Sequence, residues 1–153
     1  MRRFRPATDS DLAAVLLLQR DYYREDGYRF DAVESAGAVS ALIGDDRLGR
    51  LWVACERDRV VGYLAVTLGF SLEYRGRDAF IDELYIAESH RGLGLGREAL
   101  QLAESYCRDN GVKALHLEVE HHRETARALY SRAGFECHDR VLMTRLLIPD
   151  VPE

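Results

Sequence analysis

Two stretches hold residues whose types and spacing could do chemistry. The first is "SHRGLGLGREAL", Ser89 to Leu100, with Gly92, Gly94 and Gly96 at alternate positions behind Arg91 and ahead of a helix-like run. A helix N-terminus presents four unpaired N–H groups and about half a positive charge. Glycines in front of it let the backbone close on a ligand, which suits a phosphate or pyrophosphate. Arg91 and Arg97 add guanidinium groups able to pair with phosphate oxygens. The second stretch is "FIDELYIA", where Asp82 and Glu83 stand side by side just before that loop. A carboxylate beside a bound anion can take a proton from a reacting group, directly or through one water.

Three anion-binding patterns compete for the loop. A phosphate loop of the form G-x-x-x-x-G-K-[ST] is absent. A dinucleotide fingerprint needs G-x-G-x-x-G, but the third glycine comes one residue early and the loop lies mid-chain, after antiparallel strands. The coenzyme A pattern R-x-x-G-x-G is met by Arg91, Gly94 and Gly96.

These residues need elements to position them. "RRFRPA" reads as an opening strand, and "TDSDLAAVLLLQRDYYRED" as a helix capped by Asp9 or Ser10. Its stripe is Leu12, Val15, Leu16, Gln19 and Tyr23, apolar but for one polar gap. "DAVESAGAVSALIG" is a second helix. "GRLWVACERDRVVGYLAVTLGF" alternates as a hairpin turning at "ERDR", and "RDAFIDELYIA" is a further strand. The helix after the glycine loop runs from Leu95 to Asn110 with Leu95, Ala99, Leu102, Ala103, Tyr106 and Cys107 inward and Gly111 as its stop. "KALHLEVE" is a strand. "RETARALYSRA" is a helix ended by Gly134, with Phe135 folding back on it, and "ECHDRVLMTRLLI" closes as a last strand. The order β-α-α-β-β-β-α-β-α-β implies an α/β (α+β) fold with a mixed sheet and helices on its faces.

Composition narrows the partners. A chain of 153 residues, 47% apolar and 31% charged, fits a single domain over 1–153. A net charge of −5 argues against nucleic acid and is compatible with a cationic partner. Three cysteines, Cys55, Cys107 and Cys137, are odd in number and lack a CxxC, so we expect core thiols in a reducing compartment, neither disulfides nor a zinc site. The histidines have no metal-ligand spacing, so no metal is expected. No apolar run is long enough to span a membrane and no signal-type segment opens the chain, so a cytoplasmic protein with no membrane partner is expected.

Taken together, "FIDELYIAESHRGLGLGREALQLAESYCRDNGV" and "ALHLEVEHHRETARALYSRAGF" resemble the GNAT superfamily of acyl-CoA N-acyltransferases over Phe80 to Phe135. The second stretch holds A-x-x-x-Y-x-x-x-G-F at Ala126, Tyr130, Gly134 and Phe135. The resemblance implies a mostly antiparallel sheet of about six to seven strands flanked by about four helices. It implies acetyl-CoA as co-substrate, in a cleft between "IDELYI" and "LHLEVE". Cofactor contacts fall to Leu84, Tyr85 and Ile86, to Arg91, Gly92, Leu93, Gly94, Leu95, Gly96 and Arg97, and to Arg123, Ala126 and Tyr130. Arg123 is a departure, because the family often has asparagine there. It leaves open whether Arg123 meets phosphate or solvent.

The implied reaction is acetyl transfer to a primary amine by direct attack in a ternary complex, the amine being small and cationic, lysine-like or amino-terminal. Glu83 is favoured as the base, with Asp82 as the alternative, since strand neighbours face opposite ways. Tyr130 would protonate the leaving thiolate. Glu73 is a weaker candidate for the amine pocket. Relatives of this kind often dimerise. The rival readings are a non-catalytic acyl-CoA-binding or regulatory module on the same fold, and a nucleotide-binding domain of another class.

Overall fold

A continuous antiparallel meander supplies the centre of the sheet. The computed structural model describes residues 3–148. In it β1 (Phe4–Pro6) is followed by α1 (Leu12–Asp26) and α2 (Ala32–Gly44), then β2 (Gly49–Glu56), β3 (Arg59–Ser71) and β4 (Gly76–Ile86). α3 (Leu95–Asp109), β5 (Ala114–Leu117) and α4 (Glu124–Arg132) complete the order. The sheet runs β1-β2-β3-β4-β5, antiparallel except for the parallel pair β4–β5.

Helices cover both faces of the sheet, so the middle of β2 and β3 is buried nearly continuously. On one face Trp52, Leu64, Val66 and Ile81 pack against Leu95, Ala99, Leu100, Ala103 and Tyr106 of α3. On the other, Val53, Tyr63, Ala65 and Tyr85 pack against Val15 of α1 and Val39 of α2. Full burial of one Leu or Val side chain contributes about 1.5–3 kcal/mol, so these two clusters dominate stability.

Several expectations need adjusting. α1 is introduced by a 3-10 turn, and the backbone N–H of Thr8 donates to Asp11 at 2.8 Å, so Thr8 and Asp11 organise the start, not Asp9 or Ser10. Leu100 of α3 is buried, while Leu102 is only partly so. Cys107 is buried as expected, Cys55 half-buried and Cys137 exposed. The sheet has five strands among the described residues, below the six to seven expected. The missing strand is "ECHDRVLMTRLLI": residues 136–148 have strand composition but no sheet partner, and they are exposed.

Candidate active site

The opening in the sheet begins at an irregularity in β4. Ala65 of β3 sits opposite Glu83 and Val66 opposite Ile81, so Asp82 is an extra, unmatched residue. Such a bulge bends the strand and re-aims side chains. It also breaks the alternation that would send Asp82 and Glu83 to opposite faces. The parallel pairing of β4 with β5 ends one residue earlier, at Ile81 and Leu117. β4 continues to Ile86, past the end of β5. Its outer edge from Asp82 to Ile86 therefore has no neighbouring strand among the described residues. An extended ligand carrying amide groups can pair there as a strand would.

Glu83 occupies the inner wall of this opening. One carboxylate oxygen accepts from Gln19 Nε2 at 2.8 Å and from the Tyr63 hydroxyl at 2.9 Å. The other accepts from the Tyr23 hydroxyl at 2.6 Å. Burial raises the Glu83 pKa above the usual carboxylate range, the three donors offset part of that, and the Asp82 charge adds to it. The same burial, with Glu83 alongside, pushes the phenols of Tyr63 and Tyr23 far up, so both remain donors at neutral pH. Asp82 reaches solvent and no hydrogen-bond donor holds it among the described residues. Even so, the protein packed around it raises its pKa.

Aromatic rings and carboxylates surround Glu83. Tyr22, Tyr23, Tyr28 and Phe30 meet edge-on or tilted at 5.5–6.2 Å between centroids, and Tyr85 lies 5.6 Å from Tyr22. At the end of α1, Glu25 accepts from the Tyr85 hydroxyl at 2.9 Å, and its two carboxylate oxygens accept from the one Arg91 Nη2 at 3.0 and 3.1 Å. Burial raises the Glu25 pKa, but Tyr85 and Arg91 outweigh it and hold the carboxyl below its ordinary value. Asp26 pairs with Arg123, which also approaches Glu25 at 3.5 Å. One acidic pair on α1 thus ties the glycine loop, β4 and the start of α4 together.

The loop is built as an anion cradle. Gly92 and Gly94 have φ of +76° and +83°, left-handed values that glycine adopts without strain. Gly94 caps α3, and no side chain caps the first turn, so its N–H groups stay available. Leu93 and Arg97 are exposed, Leu95 is buried beneath, and Arg97 has no ion pair among the described residues. Arg3 braces the loop from below, donating to the Leu93 carbonyl at 3.0 Å and to Glu98 at 2.9 Å. Arg91 reaches inward: besides Glu25, it donates to the Ile86 carbonyl at 2.9 Å and lies over the Tyr85 ring.

Tyr130 lies on α4, half-buried, with Phe135 6.1 Å away between ring centres. Its hydroxyl makes no hydrogen bond among the described residues, and burial raises its pKa against the opposing charge of Arg123. Gly134 takes φ +96° and the Phe135 N–H returns to the Tyr130 carbonyl at 3.0 Å, the expected helix stop. Ala126 is half-buried one turn ahead. Glu73 is placed elsewhere: it pairs with Arg140 at 2.7 Å in the β3–β4 turn, on the order of 20–30 Å along the strand from Glu83. A groove of about 560 Å³ lined by Arg5, Asp11, Leu17 and Val60 contains none of these residues. His90 pairs with Glu56 and His116 with Asp78, and no cluster able to hold a metal occurs among the described residues.

Comparison with known proteins agrees with this arrangement. Residues 12–135 match the model of the "Acetyltransferase (GNAT) family". The chain belongs to that family. It is 30% identical over 137 residues to the uncharacterized N-acetyltransferase YhfO of Bacillus subtilis (strain 168), covering 86% of this chain and 88% of that one. It is 33% identical over 92 residues to streptothricin acetyltransferase of Streptomyces lavendulae, covering 60% of this chain and 47% of that one. Among solved structures, integron cassette protein HFX_CASS3, from the mobile metagenome of Cole Harbour Salt Marsh, superposes with a TM-score of 0.85 at 37% identity. The superposition covers 97% of this chain and 92% of that one.

The acetyl donor of the GNAT family is acetyl-CoA, and the residues here fit it. Left-handed glycines, an uncapped helix start and an Arg97 with no ion pair among the described residues suit a pyrophosphate, while the open edge of β4 suits an amide-bearing arm. Sequence reasoning missed Gln19, Tyr23 and Tyr63 as functional residues. The available signal was the polar break at Gln19 on the α1 stripe, four residues before Tyr23.

Proposed function

We propose that the protein is an N-acetyltransferase that moves the acetyl group of acetyl-CoA to a primary amine by direct attack. The observation that carries this reading is Glu83: an enclosed carboxylate of raised pKa, gripped by three donors, at the place where β4 parts from β5. When bound, acetyl-CoA supplies an acetyl group already activated as a thioester. Gly92, Gly94, Gly96 and Arg97 would hold its pyrophosphate, with Arg91 positioning the loop. The β4 edge from Leu84 to Ile86 would align its arm and offer N–H groups to the carbonyl oxygen.

The chain's own residues then handle protons. A lysine-like amine of pKa ~10.4 is charged at pH 7, and making it neutral costs about 4.6 kcal/mol at 1.36 per unit. An α-amino group of pKa ~7.7–8.0 costs only about 1 kcal/mol. Glu83, whose pKa burial raises, takes that proton directly or through one water. Asp82 adds negative charge that draws a cation in. Tyr130, kept protonated by burial, donates toward the departing sulfur. The rings of Tyr22, Tyr23 and Tyr28 with the nearby carboxylates favour a small cationic amine or a lysine side chain as acceptor.

The test is release of CoA thiol from acetyl-CoA across a panel of mono- and polyamines, amino acids and lysine peptides, with Tyr130→Phe beside the wild type. Amine-dependent release that falls at least tenfold in Tyr130→Phe supports the reading. Tight CoA binding with no turnover on any amine would leave a binding module instead of an enzyme.

A further inference from the structure

Gly96 differs from the two glycines before it. Gly92 and Gly94 take left-handed backbone, whereas Gly96 is the second residue of α3 and its φ lies outside that region. Glycine is a poorer helix former than alanine, because its backbone loses more freedom on folding. A bound pyrophosphate would meet the same backbone N–H with either residue. The difference between them is the Cβ.

That Cβ has no room. Placed on residue 96 it would lie 2.9 Å from Leu129 Cδ2, nearer than such carbons settle. Nothing lies within 4 Å of the corresponding point on Gly92, and on Gly94 only Arg3 Nη2 does, at 3.7 Å. Of the three glycines, Gly96 alone has α4 resting on it.

Leu129 is wedged where it stands. It packs against the cluster that holds Leu95 and Ala99 of α3, and a helical leucine has only two favoured χ1 settings. α4 itself is held lightly, since none of its residues is fully buried. Tyr130 is the next residue along. Its hydroxyl makes no hydrogen bond among the described residues, so packing sets its place, with Phe135 6.1 Å away between ring centres.

We propose that Gly96 is a positioning residue for Tyr130. Its bare Cα is the seat that admits Leu129, and α4 thereby holds the phenol at a fixed height beside the glycine loop. A side chain at 96 would push Leu129 from 2.9 Å to at least 3.4 Å, a retreat of about 0.5 Å that carries Tyr130 with it. The proposal rests on Tyr130 as the acid of acetyl transfer, but the seat itself can be read without turnover.

The experiment compares Gly96→Ala, Leu129→Val and the double variant in the full chain. Leu129→Val removes the Cδ2 that collides. Misplacing a reacting group by about 1 Å can cost about a hundredfold, so Gly96→Ala should lower kcat by about tenfold. The Kd for CoA, from calorimetry, should stay within about twofold. Adding Leu129→Val should return kcat to within about threefold of Leu129→Val alone. In a Tyr130→Phe background, Gly96→Ala should change kcat by less than about twofold, because the group it misplaces is gone. Gly96→Ala should also lower the melting temperature, against alanine's better helix propensity, and raise it once Leu129 is valine. If Gly96→Ala does not fold, recovery of the fold by Leu129→Val decides, and no recovery counts against the seat.

An unchanged kcat in Gly96→Ala overturns the proposal, since Leu129 then steps aside. So does a loss of CoA affinity that Leu129→Val does not rescue, which would make Gly96 a ligand contact. An equal loss of kcat with and without the Tyr130 hydroxyl overturns it as well. A wild type that acetylates no amine refutes the acetyl-transfer reading instead. The melting temperatures then judge the seat alone, and shifts that simply add overturn it.

Discussion

Replacing Tyr23 by phenylalanine removes one donor from Glu83 and little else, so its effect on the base can be worked out. The hydroxyl donates to Glu83 at 2.6 Å and also sits 3.1 Å from Gln19 Nε2. A hydrogen bond to a charged group is worth about 1.5–3 kcal/mol. At 1.36 kcal/mol per unit this corresponds to roughly 1–2 pKa units. A protonated carboxyl keeps part of the contact, so we expect the Glu83 pKa to rise by roughly 1 unit, on top of the rise that burial already causes. The acidic limb of the pH profile of kcat/KM, measured by CoA thiol release, should move up by that amount. Stability should respond with the opposite preference. A carboxyl whose pKa is raised on folding contributes stability at pH values below its unfolded pKa of ~4.3, and this is lost as pH rises through the folded value. Tyr23→Phe should therefore lose more stability than the wild type between weakly acid and neutral pH. Superimposable pH profiles for the two proteins, with activity intact, would refute the assignment of Glu83 as the titrating base.

Other expectations concern the loop and the fold. Arg97→Ala should raise the KM for acetyl-CoA by about tenfold, the weight of one phosphate contact of ~1.4 kcal/mol. Because Arg97 has no ion pair among the described residues, the melting temperature should stay put. Gly94→Ala should cost about 1–2 kcal/mol in chemical denaturation, from its φ of +83°, and weaken CoA binding in calorimetry. Asp11 accepts twice from Arg5 at 2.8 Å, which lowers its pKa from 3.8 to about 2. Its contribution is present above the unfolded pKa and lost as pH falls through about 2. Arg5 is half in solvent, so about 1–2 kcal/mol is expected. Asp11→Asn should flatten the acid limb of stability between pH ~4 and ~2.

The loop was legible because its proposed role rests on backbone: Gly92 and Gly94 announce left-handed turns, and Gly96 a close approach, wherever the rest of the chain lies. The helices followed from local periodicity, and the Gly134–Phe135 stop from local capping. Glu83 was legible as a candidate, but its donors were not, because Gln19, Tyr23 and Tyr63 come from α1 and β3 and meet it only in the folded chain. The bulge at Asp82 depends on the register between two strands, which alternation within one strand does not encode. Arg91 looked like a plain phosphate ligand, and Arg123 was open between phosphate and solvent. Their pairing with Glu25 and Asp26 depends on where the end of α1 lands. The closing strand was misplaced for a related reason: composition reports what a segment prefers, and not whether a partner strand lies beside it.

Glu83 is proposed to deprotonate the amine that takes the acetyl group from acetyl-CoA. The direct measurement is the pH dependence of amine-dependent CoA release by the wild type and Glu83→Gln, with acetylated amine identified by mass spectrometry. Glu83→Gln should lose at least about a hundredfold in kcat/KM on a lysine-like amine at neutral pH. The loss should shrink as pH approaches the pKa of the amine, while CoA still binds. Full activity of Glu83→Gln at neutral pH, or thiol release that yields no acetylated amine, would contradict it.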